Sequence, residues 1–235
     1  MGIGTEQNDA QALEWFLKSA SVVKDANAMY HIGRMIEEGR GTGQSAAEAL
    51  NWYQLANETG RHRSAQYKIG VFHKEGLGGL SQDLDVAQLY FKKAADQGEE
   101  KAMQELAQLF WMQKSYSLAL VYYEQAASLG VIEANFTLGK LYHAGFKVDE
   151  ATIVPQDYSS AFAYFTDASN EGDATSTIIL GSYYQHGWHV QINRGIALSL
   201  YEKAIEQGGG TLAQLAVAQL RRSSSSNITT DLPAL

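Results

Sequence analysis

The chain has 235 residues, 45% of them hydrophobic, and carries a formal net charge of −8 at pH 7. The apolar content is typical of a folded domain and excludes a disordered chain, and the acidic balance without a Lys- or Arg-rich block argues against nucleic acid as a partner. The absence of cysteine excludes disulfides, thiolate metal sites and cysteine nucleophiles.

The location of the protein follows from what the sequence lacks. Its apolar runs are much shorter than the roughly 18 residues that a membrane span requires, and its first residues lack the regions of a signal peptide. We therefore expect no direct membrane span and a cytoplasmic protein. Three Asn-x-Thr sequons leave the lumen of the secretory pathway as the alternative: Asn57, Asn135 and Asn227.

In chain order, the first recurring phrase begins with Ala, followed three and four residues later by an aromatic pair. Such spacing places these residues on one face of an α-helix, which we call helix B. Its first copy is weak and its last has Leu in the pair. The six pairs are Trp15/Phe16, Trp52/Tyr53, Tyr90/Phe91, Tyr122/Tyr123, Tyr164/Phe165 and Leu200/Tyr201. Five glycines are predicted to end helices B: Gly60, Gly98, Gly130, Gly172 and Gly208.

A second phrase fills the intervals, and we call it helix A. It begins with Ala or Ser and has a small residue five positions later, where a neighbouring helix crosses closely. Its copies begin at Ala28, Ala65, Ala102, Ala134 and Ser176, and a truncated copy begins at Ala213. Short connections make helices A and B antiparallel, and one pair cannot bury its apolar stripe alone. The sequence therefore predicts an all-α, right-handed α/α superhelical solenoid of about five to six stacked helix hairpins.

These two phrases resemble the Sel1-like repeat, a relative of the tetratricopeptide repeat. The distances between the glycines that end helix B vary, at 38, 32, 42 and 36 residues, whereas tetratricopeptide units keep a nearly constant length. The extra residues form Gly-rich loops after helix A. One unit departs from the pattern, with Ala107 in place of the central glycine and a short "KSY" turn. A second, weaker similarity is to fungal chitin synthase activators.

The repeats divide the chain into three parts: a lead-in at 1–9, the repeat solenoid at 10–220 and a flexible, Ser-rich tail at 221–235. The first helix B has no helix A before it, so we expect the face with Trp15 and Phe16 to lack part of its cover. An open end of this kind predicts a longer array or self-association through the N-terminal end.

No motif indicates an enzyme, a cofactor or a metal site. "GRGTG" at 39–43 follows a helix and lacks the ending of a phosphate loop, so we interpret it as a connector. His186 and His189 flank a glycine turn without a third ligand nearby. For His186, and equally for His73 and His143, we expect a favourable charge at a helix end. Glu37 and Glu38 are interpreted as solvated charge.

The resemblance implies a binding surface. In the related families the concave face is lined by helix A at three positions, namely three before, one after and four after the central small residue; we call these the minus-three, plus-one and plus-four positions. The candidate partner-binding residues carried over are Tyr30, Arg34, Tyr67, Val71, Lys74, Gln108, Trp111, Phe136, Lys140 and His143. Glu37 occupies a plus-four position as well. Packing of Tyr30, Tyr67 and Phe136 against the next helix B is the alternative.

The sequence predicts a non-enzymatic scaffold or adaptor that binds a protein partner on this face, and the mixture of aromatic and basic residues favours an acidic or extended peptide. Two other functions stay open. One is a regulatory or activator subunit of a membrane enzyme complex, which the weaker similarity implies. The other is a carbohydrate-binding module, because the same aromatic side chains can stack on sugars.

Overall fold

The computed structural model describes the backbone of residues 8–226 and the side chains up to Arg222. Within this range the chain consists of helices and one short β-hairpin. The helices are α1 Asp9–Val23, α2 Ala26–Glu38, α3 Ala46–Gly60, α4 Arg63–Glu75, α5 Leu84–Ala95, α6 Glu100–Met112, α7 Tyr116–Ser128, α8 Ile132–Ala144, α9 Tyr158–Asn170, α10 Ala174–His186, α11 Arg194–Glu206 and α12 Gly210–Ser226. The strands are β1 Phe146–Val148 and β2 Ala151–Val154.

The helices form two compact units, which meet in the sequence at Ser115 and Tyr116. In unit 1, α2 packs extensively on α3 and α4 on α5, with α1 and α6 at its ends. In unit 2, α8 packs on α9 and α10 on α11, with α7 and α12 at its ends. Each of these pairs is a helix A followed by a helix B, so the predicted all-α repeat architecture is confirmed.

The central glycine of helix A is required by the packing of each pair. A Cβ atom on Gly181 would lie 2.5 Å from Cε1 of Tyr201, much closer than any real contact of this kind. The equivalent distances are 2.7 Å or slightly more for Gly33 with Tyr53, Gly70 with Phe91 and Gly139 with Phe165. The second residue of each aromatic pair therefore sits directly on the glycine, and the helix axes can approach only because the side chain is missing.

The prediction for the glycines after helix B is correct at four positions and wrong at Gly60. Gly98, Gly130, Gly172 and Gly208 have positive φ. Gly60, in contrast, is the last residue of α3, and Arg61 takes the left-handed conformation with φ 50°. Gly60 is small for a different reason, since a Cβ there would lie 2.7 Å from Cβ of Ala26 at the start of α2.

The β-hairpin is a feature that sequence analysis missed, because the segment after α8 was predicted as a variable loop. The two strands pair in antiparallel orientation, and Asp149 and Glu150 between them have φ of 47° and 64°. Acidic residues tolerate the left-handed region only moderately well, so this turn lacks the glycine that would have marked it.

A chain of hydrogen-bonded amide and hydroxyl groups, of which Gln66, Ser169 and Thr177 are buried, links successive repeats within each unit. In unit 1 the Gln97 side chain donates to Gln66, which in turn donates to Asn57 at 2.8 Å. In unit 2 the equivalent positions carry Ser169, Thr177 and Gln207, which are joined by bonds of 2.6–2.7 Å. Buried polar groups of this kind must be paired, so they fix how one repeat meets the next.

Helix α12 extends through Ser226, beyond the boundary predicted at 220. The rest of the predicted tail, from 227, and the lead-in up to residue 7 lie outside the described residues. "GRGTG" connects α2 and α3 as expected. No helix in the described part of the chain combines the length and apolarity that crossing a membrane requires.

Candidate functional site

The predicted surface consists of the three positions of each helix A, and we call it the helix-A face. Every side chain at these positions is at least partly exposed, and none is fully buried. Unit 1 holds Tyr30, Arg34, Tyr67, Val71, Lys74, Gln108 and Trp111, and unit 2 holds Phe136, Lys140 and His143. Trp111 is half-buried near the end of α6, next to the exposed Met112.

The aromatic residues at the minus-three position contact the following helix B, as the alternative interpretation holds. Ring centroids lie 5.8 Å apart for Tyr30 and Tyr53, 5.9 Å for Tyr67 and Phe91 and 6.1 Å for Phe136 and Phe165. Burial raises the pKa of Tyr67 to about 12, and carboxylates nearby act in the same direction. These rings therefore extend the core and keep one part at the surface.

The hydrogen-bond partner of the plus-four residue depends on the second aromatic residue of helix B in the same repeat. In the two repeats with a central glycine and a tyrosine on helix B, the plus-four residue accepts a hydrogen bond from the tyrosine hydroxyl. The Tyr53 hydroxyl donates to the Glu37 carboxylate, and the Tyr201 hydroxyl donates to Gln185 at 2.7 Å. Burial and this bond to a carboxylate both raise the pKa of Tyr53 strongly. Glu37 is thus a partner of a buried hydroxyl.

Where this aromatic residue is phenylalanine, the plus-four side chain forms a hydrogen bond with the next helix A. Lys74, which belongs to the same repeat as Phe91, donates a hydrogen bond of 2.9 Å to Glu105 of α6. His143, paired with Phe165, shares a hydrogen bond of 2.9 Å between its Nδ1 and the Tyr183 hydroxyl of α10. A tyrosine on helix B therefore gives the plus-four residue a bond within its own repeat, whereas Lys74 and His143, beside phenylalanines, bond to the next helix A. Glu37 makes both kinds of contact, because it also pairs with Lys68 of α4.

Two expectations about charge are corrected by these contacts. Glu37 is only partly exposed and is not a free charge, because it binds the Tyr53 hydroxyl and the ammonium of Lys68, the latter at 2.9 Å. Glu38 is exposed and pairs with Arg34 and Arg40, each at 3.4 Å. The unit 1 part of the face is therefore less basic than predicted, since the cations Arg34, Lys68 and Lys74 all have carboxylate partners.

Lys140 in unit 2 has a different environment. Its ammonium lies 5.3 Å from the ring centroid of Phe136, and it is in no ion pair within the described residues. At an exposed site, attraction of this kind is worth about 0.5–1 kcal/mol and leaves the charge without an anionic partner.

An aromatic cluster around Trp188 is the main feature that sequence analysis missed. Trp188 follows α10 and lies 5.0 Å from His143, 5.5 Å from Tyr183 and 6.0 Å from Tyr158, measured between ring centroids. The rings of Trp188 and Tyr158 are stacked, with 17° between their planes. The "HGWH" motif contains this tryptophan, but the sequence analysis considered only the two histidines of the motif.

The role expected of His143 is wrong. Burial lowers the pKa of its imidazole below the ordinary value of 6.5, so it is neutral at pH 7 and does not supply charge to the end of α8. His73 stacks on Tyr90, with 5.9 Å between centroids. His186 lies in the last turn of α10, and His189 in the loop beyond. Residues 8–222 contain no group of three or more potential metal ligands.

A cavity of about 310 Å³ opens between α8 and α10, next to this cluster. Its walls combine apolar side chains with cationic and neutral polar ones, and they include two of the predicted site residues, Lys140 and His143. The minus-three residue Phe136 lies directly beside Lys140. Two of the predicted residues of unit 2 thus line this cavity, and the third lies next to one of them.

Comparison with models of protein families identifies the repeat. The model of the Sel1 repeat matches residues 1–21, 26–60, 63–99, 101–131, 132–173 and 176–209. The chain belongs to the Sel1 repeat family. Four of the longer matches, 26–60, 63–99, 132–173 and 176–209, each span one of the helix pairs described above, and the match at 101–131 covers α6 and α7. A comparison with curated proteins finds no match.

Solved structures of other Sel1 repeat proteins share the fold. The protective antigen c5321 of uropathogenic Escherichia coli is 27% identical, with a TM-score of 0.77 over 92% of this chain and 45% of its own. This chain thus spans less than half of c5321. A Sel1 repeat protein from Oxalobacter formigenes is 24% identical, with a TM-score of 0.75 over 93% of this chain and 95% of its own.

A more distant likeness reaches beyond the Sel1 repeat family. Yeast Tom70, at 15% identity and a TM-score of 0.56, matches 97% of this chain and 46% of its own. The likeness to Tom70 is one of fold alone. Sel1 repeats generally mediate protein–protein interaction.

Proposed function

We propose that this Sel1 repeat chain is a non-enzymatic scaffold that binds extended segments of a protein partner on the helix-A face of each unit. The observation that carries the proposal is the partial exposure of every side chain on that face, whereas the helix-B aromatics behind it are buried. A surface of half-exposed aromatic side chains on a rigid support supplies contact area at a low cost in conformational entropy.

The energy of binding should be concentrated in a few apolar anchors. Hot spots are usually large aromatic residues, with charged residues around them that steer the partner. Tyr67 and Trp111 fit the anchor role in unit 1, and Phe136 fits it in unit 2. Arg34, Lys74 and their carboxylate partners fit the steering role, because exposed ion pairs affect association rates more than affinity.

A library of random twelve-residue peptides displayed on phage and selected on the full chain tests the proposal. The selected peptides should lose affinity by about 2 kcal/mol or more on Trp111→Ala or on Phe136→Ala. The matched controls are Leu89→Ala and Leu118→Ala, which remove exposed leucines from helices B of unit 1 and unit 2. The denaturation midpoint of each variant shows whether the fold is intact.

Unchanged binding by a folded Trp111→Ala, Phe136→Ala double variant would refute the helix-A face as the site. The loops at 77–82 and 146–156 would then be the next surface to test. Binding of saccharides in titration, with no selected peptide, would support a carbohydrate-binding module instead. Recovery of an active membrane enzyme with the chain would identify a regulatory subunit.

Self-association through α1 is a separate proposal. Trp15 is 64% exposed, and Leu17, Val22 and Val23 on the same helix are exposed as well. Large apolar residues grouped in this way are typical of an interaction surface. Sedimentation at increasing protein concentration should show a larger species that Trp15→Ser abolishes, and a concentration-independent monomer would refute the proposal.

A further inference from the structure

The cavity between α8 and α10 has a largely apolar interior. Phe165, Ile179 and Trp188 form its wall, and Ala144 lies at its exposed rim. Its volume of about 310 Å³ is at the lower end of the range for ligand pockets, which begins at about 300 Å³. A space of this size and polarity suits one bulky apolar side chain better than a larger ligand.

The wall at Trp188 is held in place before any ligand arrives. The indole of Trp188 stacks on Tyr158 and packs edge-on against Tyr183. The backbone N–H of Trp188 donates a hydrogen bond of 3.2 Å to the backbone carbonyl of Tyr183. Because Tyr158 covers one face of the indole, that face cannot serve as a platform for a sugar ring. Tyr183 is fully buried and bonded to His143, so the support is rigid.

The polar part of the cavity is free of carboxylates. Lys140, His143, Ser182 and His186 are its polar residues. Lys140 is exposed and outside every ion pair of the described chain, whereas Lys74 on the helix-A face of unit 1 is bonded to Glu105. In a protein with a net charge of −8, a cation left without a carboxylate beside an apolar cavity is complementary to an anionic group.

We propose that this cavity is an anchor subsite of the helix-A face, which takes a bulky apolar side chain of the partner segment while Lys140 binds a carboxylate of an adjacent Asp or Glu. The inference rests on the proposed function and specifies its partner as a segment with an acidic residue next to a large apolar one. Lys140 and Phe165 line the same cavity, so an acidic and an apolar side chain of one segment can reach it together.

Titration of the full chain with capped tetrapeptides tests the subsite, observed by NMR at the Trp188 indole N–H and the Ile179 methyl groups. The probe is acetyl-Gly-Leu-Asp-Gly-amide. Its analogue with Asn in place of Asp should bind about three- to fivefold more weakly, and its analogue with Ser in place of Leu should bind at least tenfold more weakly.

Two variants connect the result to the cavity. Lys140→Gln should make the Asp and Asn peptides bind equally, whereas Lys147→Gln, which removes an exposed cation of the same unit outside the cavity, should preserve the difference. Ala144→Leu should fill the opening and weaken the Asp peptide about tenfold or more. Ala163→Leu is its control, because Ala163 is exposed on α9 away from the cavity.

Equal affinities of the Asp and Asn peptides for the wild-type chain would overturn the inference, as would shifts confined to residues outside the cavity. The outcomes also separate this inference from the proposed function. Selected peptides that depend on Trp111 but ignore Lys140→Gln and Ala144→Leu would leave the scaffold function intact and refute the subsite. Peptides that ignore every helix-A variant would refute the function itself.

Discussion

The helix-A faces of the two units hold their repeats together with different chemistry. In unit 1, ion pairs join consecutive helices A, with Lys68 bonded to Glu37 and Lys74 to Glu105, both at 2.9 Å. In unit 2 the corresponding link is aromatic and uncharged, from His143 to Tyr183 with Trp188 against both. The scaffold behind both faces is the same contact of glycine with an aromatic ring.

The difference shows which parts of a Sel1 repeat can vary. In the four repeats with a central glycine, that glycine and the second aromatic residue meet with nearly the same geometry in both units, because no larger residue would fit between the helices. The plus-four residue is free to change because its partner can lie in its own repeat or in the next. Binding chemistry can therefore change at this position without disturbing the pair of helices beneath it.

The largest expected effect comes from breaking the scaffold that the units share. Gly181→Leu in unit 2 and Gly33→Leu in unit 1 should each lower the free energy of unfolding by about 3 kcal/mol, because the new side chain collides with a buried tyrosine ring. Denaturant unfolding measures both. Gly43→Leu is the control, since nothing lies within 4 Å of a Cβ there. An unmoved midpoint for Gly181→Leu would show that the crossing point is misplaced.

Removal of single hydroxyl groups should separate the two faces. Tyr53→Phe leaves the Glu37 carboxylate without its buried donor and should cost about 2 kcal/mol, as bonds to charged groups do. Tyr183→Phe breaks a bond to a neutral imidazole and should cost about 1 kcal/mol. Denaturant unfolding of the two variants gives the order, and a larger cost for Tyr183→Phe would contradict the assignment of His143 as neutral.

The neutral His143 also predicts a dependence on pH. Its folded pKa is depressed by burial, so between that pKa and about 6.5 the unfolded chain binds a proton that the folded chain does not. Stability should therefore fall as pH decreases below about 6.5. Burial also lowers the pKa values of His31 and His62 in unit 1. His143→Gln should therefore remove only part of the dependence of stability on pH. A slope unchanged by His143→Gln would contradict the assignment.

The sequence was sufficient for the scaffold because steric rules act locally. The spacing of the small and aromatic residues was enough to locate the helix pairs and the close contact at Gly181. A comparison of helix B between repeats, with Tyr201 in one and Phe165 in another, would also have pointed to the different contacts at plus-four. The Trp188 cluster was beyond this reasoning, because it joins residues from α8, α9 and the loop after α10 that share no periodicity. Pairing of charges such as Lys74 with Glu105 likewise depends on rotamers and not on spacing.

The smallest expected effect concerns the two lysines that define the contrast between the faces. Lys74→Gln breaks two contacts with carboxylates and should cost up to about 1 kcal/mol, less at high salt because ionic strength screens the pair. Lys140→Gln breaks no ion pair within the described residues and removes the contact with the Phe136 ring, so it should cost at most about 0.5–1 kcal/mol, with little dependence on salt concentration. Denaturant unfolding at low and at 1 M salt measures both variants. A salt-dependent loss for Lys140→Gln would mean that its charge already has a partner in the folded chain, and it would remove the distinction on which the anionic preference of unit 2 depends.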